Sequence, residues 1–346
     1  MDNRAIVPSN DRGPAVSGAS VALQPAASLL KRYEGNPILR PIKEHAWESR
    51  YVLNAGAIAI GGKVYLVYRA YGEDRVSRLG LAVSGDGFHF TERLEKPIFE
   101  PKSPTEARGC EDPRLTRIGD RIYMAYTAYD GVIPQIALAS IGVKEFTEYR
   151  WDRWVRHGLF LPGCVNKDAA LFPERFGGRL AMLHRIEPHI WIAFSGSSDV
   201  QCPWPGADHR IVARVMEAPA WDSKKIGAGT QPIKTRYGWL LITHGVDHDL
   251  VYRLGVMLLD LNDPSRLIYR SPNYVLEPEK DWELGKNNGY WVPNVVFTCG
   301  AVCPENGLHP LDAEDRLIVY YGASDSVIGA AVAGVGDLIP EAFRSG

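Results

Sequence analysis

The sequence predicts an all-β protein, a five-bladed β-propeller with a flexible N-terminal arm, and three observations carry that reading. From Asn36 onward the chain alternates short apolar runs with Gly, Asp and Pro, the texture of strands and turns, and no segment sustains several helical turns of i, i+3, i+4, i+7 spacing. One plan then recurs five times: an apolar strand, a tight turn, an aromatic-rich strand, a polar stop and a strand of small residues. The turns of the first four copies are also evenly placed, since Gly61, Gly119, Gly177 and Tyr237 lie 58, 58 and 60 residues apart. Strand-only repeats of about 40–60 residues suit radial blades. A large β-sandwich is the competing architecture, but it gives no reason for even spacing.

Residues 1–35, rich in Ala, Pro, Ser and Gly, read as an N-terminal extension with one short helix around Ala22–Tyr33. The first copy is NAGAIAIGGKVYLVYRA at 54–70, followed by SRLGLAVSGDGFHF. The second is EDPRLTRIGDRIYMAYTAY at 111–129 with PQIALASI, and the third is KDAALFPERFGGRLAMLHRI at 167–186 with HIWIAFS. TQPIKTRYGWLLITHG at 230–245 with YRLGVMLLDL forms the fourth. The fifth is NVVFTCGAV at 294–302, then DRLIVYYGAS and VIGAAVA, stretched by an insertion at 262–293. Residues 36–346 therefore read as one propeller domain.

Composition narrows the function classes. With 45% hydrophobic and 23% charged residues over 346 positions, the chain has material for a large core, which excludes disorder for its bulk. A formal net charge of −2 gives no electrostatic reason to expect nucleic acid or an anionic membrane as partner. The five cysteines form no CxxC pair and no disulfide framework. The start lacks a signal-peptide stretch, and no run of about 18 apolar residues occurs. A cytoplasmic location is the expectation; self-association is left open.

Aligning the copies shows where polar residues break the apolar pattern. Entering the first strand are Asn54, Glu111–Asp112, Lys167–Asp168, Thr230–Gln231 and Asn294; leaving the second are Arg69, Thr127, Arg185, His244 and Gly322–Asp325. Stacked round an axis, both rings reach one end of the channel and make a concave site of carboxylates, amides and cations. Any one of these groups would serve to satisfy a neighbour; together they point to a site. The His244 and His248 pair would not converge on a strand, and GAGT at 227–230 lacks a dinucleotide context, so no metal and no nucleotide cofactor is expected. Asp74, Arg75 and Arg78 read as solvated loop charges, and Cys299 and Cys303 as space-filling.

At these residues the chain resembles glycoside hydrolase family 130. The matching motifs are Asn54–Gly56, YRA at 68–70, SGDGFHF at 84–90, CEDPR at 110–114, NKDAALFPE at 166–174, LHR at 183–185, PIKT with GWLLITHG at 232–245, and YYGASD at 320–325. The resemblance runs from about Asn36 to Gly346 and implies β-mannoside phosphorylases, or a smaller set of β-1,2-mannosidases, on a five-bladed propeller. It makes Asp112 the general acid, acting through the sugar 3-hydroxyl, while inorganic phosphate attacks C1 and α-mannose 1-phosphate leaves with inverted configuration. Phosphate is the co-substrate and a mannose-containing oligosaccharide or disaccharide the partner.

An inverting hydrolase needs two carboxylates about 6.5–9.5 Å apart, whereas phosphate is already a nucleophile and needs cations beside an oxocarbenium-like centre. Lys167, Arg185, Lys234 and His244 are the candidate phosphate ligands. The resemblance assigns Asn54, Arg69 and Asp325 to the mannosyl unit, and Asp168 joins them as a substrate-binding candidate. The insertion residues Trp282, Asn287, Tyr290 and Trp291 are either an aromatic platform for the acceptor sugar or a packing plug. One departure stands out: Thr243–His244–Gly245 replaces the usual Tyr-His-Gly. It keeps an inverting β-mannosidase open as the alternative, with a non-catalytic glycan-binding propeller as the second.

Overall fold

A computed structural model of the chain describes residues 28–196, 200–204, 207–286, 289–305 and 309–344. The chain begins with β1 (Lys31–Arg32) and then builds blade one from β2 (Tyr51–Ile60), β3 (Lys63–Tyr71), β4 (Arg78–Ser84) and β5 (Glu92–Arg93). Blade two is β6 (Gly109–Ile118), β7 (Arg121–Tyr129), β8 (Pro134–Gly142) and β9 (Val155–Leu159). Blade three is β10 (Lys167–Phe176), β11 (Arg179–Ile186), β12 (His189–Phe194) and β13 (Asp208–Ala213). Blade four joins β14 (Lys225–Ala228), β15 (Ile233–Lys234), β16 (Trp239–Val246), β17 (Tyr252–Leu259) and β18 (Leu267–Arg270). Blade five is β19 (Val296–Val302), β20 (Arg316–Ala323) and β21 (Val327–Gly334), with β1 as its outermost strand. All five sheets are antiparallel, as the five sequence copies predict. No helix among the described residues is long and apolar enough to cross a membrane.

Closure of the ring explains one departure from expectation. Residues 28–33 were expected to lie in a short helix; instead Lys31 and Arg32 pair with Val332 and Ala331 on the open edge of β21. A helix of that length is marginal without a packed face, whereas a free strand edge offers backbone partners at once. Residues 22–27 of that expectation lie outside the described residues. The fourth strand of each blade was also not anticipated: β5, β9, β13, β18 and β1 are short, too brief to show a period. β18 comes from the stretch read as an insertion, so residues 267–270 belong to blade four and only the remainder bridges to blade five.

Two local devices position the channel. Gly61, Gly119 and Gly177 take φ of 58°, 63° and 58° at the hairpin tips, a conformation that favours glycine and matches the strand twist. At the opposite ends of the inner strands the register slips between Leu53 and Gly56, Glu111 and Arg114, and Lys167 and Ala170. Within each bulge one residue is left-handed: Asn54 at 49°, Asp112 at 51° and Asp168 at 57°. Asn and Asp tolerate that conformation best, and a bulge re-aims the side chain it carries.

A buried acid also ties each of three outermost strands inward. Glu48 meets Arg93 and Tyr68, Glu106 meets Arg156 and Tyr126, and Glu283 meets Arg32 and Tyr321. Blade four keeps only Asp222 with Arg270, and blade three substitutes a neutral chain of Asn166, His184 and His209.

Trp239 shows how the blades interlock: fully buried, its ring meets Phe172 and Phe176 of blade three edge-on at 5.4 and 6.0 Å. Trp239→Ala is expected to cost about 3–5 kcal/mol in denaturant unfolding. A cost under about 1 kcal/mol would contradict tight packing between these blades.

Candidate active site

Where the inner strands begin, the channel opens into a cavity of 630 Å³ whose lining includes Tyr51, Arg69, Tyr71, Arg75, Arg108, Glu111, Lys167 and Trp291. Arg69, Glu111 and Lys167 bring charge to this lining, and the bulge residues Asn54 and Asp112 are buried next to them. Asp112 is buried, accepting a hydrogen bond from Asn54 Nδ2 at 2.9 Å and one from Arg69 at 3.0 Å. The same guanidinium donates to Glu111 at 2.7 Å, to Ser77 at 3.0 Å and to Tyr71. Lys167 Nζ stands 3.5 Å from Glu111. Arg69, Glu111, Asp112 and Lys167 thus link three blades.

A second cluster lies beside the first. Asp168, also buried, is 2.8 Å from Arg185, 3.2 Å from His244 Nε2 and 3.3 Å from Arg114. Arg114 is fixed in turn by the carbonyls of Ala228 and Gly229 at 2.9 and 2.8 Å and of Asp112 at 3.1 Å. Gly227 makes room: a Cβ there would fall 2.4 Å from Asp168 and 2.5 Å from the His244 ring. Among the described residues, four buried atoms of the two clusters have no hydrogen-bond partner, Asn54 Oδ1, Asp168 Oδ2, Arg185 Nε and His244 Nδ1, and of these only Asp168 Oδ2 has ion-pair contacts. Buried polar groups are nearly always paired, so Asn54 Oδ1, Arg185 Nε and His244 Nδ1 are placed to meet a ligand or water.

The electrostatics follow from the pairing. Burial would raise the Asp112 carboxyl, but the charges of Arg69 and Lys167 and the Asn54 hydrogen bond outweigh it and hold it below the usual range. Asp168 lies well below that range because Arg185, His244 and Arg114 outweigh its desolvation. Burial lowers His244 despite Asp168, so its imidazole is neutral at neutral pH. Asp325, in a turn where Ser324 and Asp325 have φ of 46° and 49°, behaves oppositely. Burial, with Asp112 and Glu111 nearby, pushes its carboxyl up to about 6 against the pull of Arg69 and Lys167.

The structure therefore gathers Asn54, Arg69, Asp112, Lys167, Asp168, Arg185 and His244, and places Asp325 within their field. Lys234 is not among them. It pairs with Trp239 across the hairpin, five residues along β16 from His244, or about 17 Å at about 3.4 Å per residue. There it binds Glu174 and lines a separate 300 Å³ pocket at the other end of the channel. Asp168, taken as a sugar ligand, is instead enclosed by cations as their counter-ion.

In the insertion, Trp291 is 46% exposed, stacks on Tyr51 at 5.5 Å and lines the cavity, while Trp282 packs on Tyr321 as a plug. Tyr290 is half-buried and does not line the cavity; Asn287 lies outside the described residues. Sequence reasoning missed Arg75, which lines the cavity, and Arg114, whose place two residues beyond Asp112 was the available signal.

Because its folded-state value is depressed, Asp168 stabilises the fold above the ordinary carboxyl range, and that contribution is lost as pH falls below about 4. Asp168→Asn leaves buried cations unmatched and is expected to cost about 3–5 kcal/mol at neutral pH. It should also flatten the acid limb of stability, measured by denaturant unfolding from pH 3 to 7; an unchanged limb would contradict this assignment.

Comparison with known proteins agrees with this architecture. The model of glycoside hydrolase family 130, described as β-1,4-mannooligosaccharide phosphorylase, matches residues 29–340. The chain is 43% identical over 324 residues to a β-1,2-mannobiose phosphorylase of Thermoanaerobacter sp. strain X514, covering 88% of this chain and 96% of that one. It is 41% identical over 320 residues to a 1,2-β-oligomannan phosphorylase of the same organism, covering 89% and 98%. Among solved structures it is similar to the β-1,2-mannobiose phosphorylase of Listeria innocua in complex with β-1,2-mannobiose. That likeness has a TM-score of 0.74 and 27% identity over 89% of this chain and 98% of the other. With its motifs in every blade and the family model spanning nearly its whole length, the chain belongs to glycoside hydrolase family 130.

Proposed function

We propose that this protein is an inverting β-mannoside phosphorylase, with β-1,2-linked mannobiose or a short β-1,2-oligomannan as the substrate class. The observation that carries the reading is the pair of buried, unpartnered nitrogens, the Arg185 Nε donor and His244 Nδ1, the acceptor of a neutral imidazole whose Nε2 faces Asp168, on the cationic cluster neighbouring Asp112. A hydrolase has no use for an anion receptor beside its acid. Both Thermoanaerobacter relatives carry phosphorylase names, which supports phosphate as the acceptor.

In this reading phosphate lies against Lys167, Arg185 and His244, accepting charge-assisted hydrogen bonds from the two cations and donating its hydroxyl to His244 Nδ1. One of its oxygens attacks C1 of the mannosyl unit on the face opposite the glycosidic oxygen. The C1–O bond breaks as the new one forms, giving α-mannose 1-phosphate, and the leaving oxygen takes the proton held by Asp112. Asn54, Arg69 and Asp325 hold the mannosyl unit, and Trp291 offers its exposed face to the acceptor sugar.

The fields of Arg69 and Lys167 hold Asp112 anionic, yet the reaction needs it protonated. Phosphate resolves the conflict, because a bound anion opposes the fields of Lys167 and Arg69 and raises the proton affinity of a neighbouring carboxylate. The co-substrate thus loads the acid that works with it.

The test is product analysis of β-1,2-mannobiose with and without phosphate, with α-mannose 1-phosphate expected only in its presence. Asp112→Asn should lose at least ~10²-fold in rate. Arg185→Ala should raise the phosphate KM about ten- to a hundredfold while leaving sugar affinity nearly unchanged. Free mannose released at an undiminished rate without phosphate would establish the hydrolase instead.

Asp325 supplies a pH signature. Its anionic form accepts sugar hydroxyls, so disaccharide affinity without phosphate should be full above pH about 6 and weaken below. Asp325→Asn should abolish that dependence, as read by calorimetry; an identical pH profile in the variant would remove Asp325 from the sugar subsite.

A further inference from the structure

The buried acid of blade five differs from those of the other blades in what it holds. Glu283 lies in the short helix Asp281–Leu284, between the outermost strand and the sugar side of the cavity. Its side chain is fully buried and accepts five hydrogen bonds: two from Arg32 at 2.8 Å, one from Tyr321 Oη at 2.9 Å, and those of the Glu279 and Lys280 amides at 2.9 and 3.0 Å. Nothing about this carboxylate is left unsatisfied, and removing its charge leaves Arg32 with the half-exposed Glu279 at 3.0 Å as its remaining ion-pair partner.

The helix in turn grips the turn that carries Asp325. The Trp282 carbonyl accepts from Ser324 Oγ at 2.8 Å, and the Glu283 carbonyl accepts the Val295 amide at 3.1 Å. The Ser324 amide donates to the Val295 carbonyl at 3.1 Å, while the Ser324 carbonyl accepts the amides of Trp291 and Val292 at 3.2 and 3.1 Å. The Trp291 amide also donates to Ser326 Oγ at 2.9 Å. Two consecutive non-glycine residues in the left-handed region persist only where their surroundings over-determine them, and this lattice does so. The same contacts set the height at which Trp291 stacks on Tyr51.

We infer that Glu283 is a positioning residue for the sugar side of the site. Through its salt bridge to Arg32 on the ring-closing strand, it holds residues 281–284 and 291–295 so that Asp325 and Trp291 meet the substrate together. None of these hydrogen bonds reaches Lys167, Arg185 or His244, and blade four meets the segment only at its end, where the Tyr252 amide donates to the Asn294 carbonyl at 2.9 Å, so the two substrates should respond differently when the anchor is cut. The inference rests on the functional reading above.

The experiment compares Glu283→Gln, Arg32→Gln and the milder Tyr321→Phe with wild type and with Trp239→Ala, a destabilised control whose ring packs toward the far end of the channel. Measured are the KM of β-1,2-mannobiose, the KM of phosphate, kcat, and calorimetric binding of the disaccharide without phosphate. Glu283→Gln and Arg32→Gln are expected to weaken disaccharide binding and raise its KM about tenfold or more, as small misplacements of positioning groups do. The phosphate KM should stay within about twofold, and Tyr321→Phe should shift in the same sense by less.

Unchanged disaccharide affinity in all three would overturn the inference. So would a joint rise of both KM values matching Trp239→Ala, which would mean general loosening. Where Glu283→Gln fails to fold, the other two variants are judged by the same criteria. If the wild-type protein makes no mannose 1-phosphate, the functional reading falls, while calorimetry of the disaccharide still decides the role of Glu283.

Discussion

Two carboxylates buried at the head of neighbouring inner strands impose the constraint on which this structure depends. Asp112 and Asp168 are each almost inaccessible, and an isolated anion in such a place would take up a proton or pull the fold open. Each is kept charged by groups from other strands: the Arg69 cation of blade one reaches Asp112 of blade two, and the Arg185 cation of blade three and the His244 imidazole of blade four enclose Asp168. Arg114 spans the two clusters, bound to Asp168 and to the Asp112 carbonyl. Blade order at the axis is thus written in charge as well as in apolar packing.

The same arrangement prepares the chemistry. Because Asp168 already balances Arg185, the guanidinium is held in place before any ligand arrives, and a phosphate meets oriented donors rather than mobile ones. Left-handed backbone at Asn54, Asp112 and Asp168 aims three polar side chains inward from strands that are otherwise apolar. Strain of roughly 1–3 kcal/mol per residue is the usual cost of such a conformation. It falls on the residues closest to the proposed reaction, where strain commonly gathers.

Much of this was legible in the sequence, for identifiable reasons. Evenly spaced hairpins such as Gly119 and Gly177 repeat because each blade solves the same packing problem, so the propeller and its five blades could be read directly. Polar breaks at Asp112, Lys167 and Arg185 stood out because their neighbours are apolar. The fourth strands left no trace, since two to six half-buried residues carry no period. Lys234 was misplaced because its charge suggested a partner for His244, while hairpin register puts it beside Trp239 at the far end. Arg75 was passed over because a loop arginine gives no sign of which way it faces. Glu283 was invisible: its meaning depends on Arg32, which the sequence separates from it by most of the chain.

The claim at the centre of this account is that Lys167, Arg185 and His244 form the anion site, poised by Asp168 beside the acid Asp112. A crystal structure of the protein soaked with phosphate and mannose tests it most directly. The account predicts phosphate oxygens within hydrogen-bond distance of Lys167 Nζ, Arg185 Nε and His244 Nδ1, with the sugar between the anion and Trp291. Phosphate bound instead to Arg75 and Arg108 at the mouth of the cavity, with the Arg185 and His244 atoms still unpartnered, would contradict it.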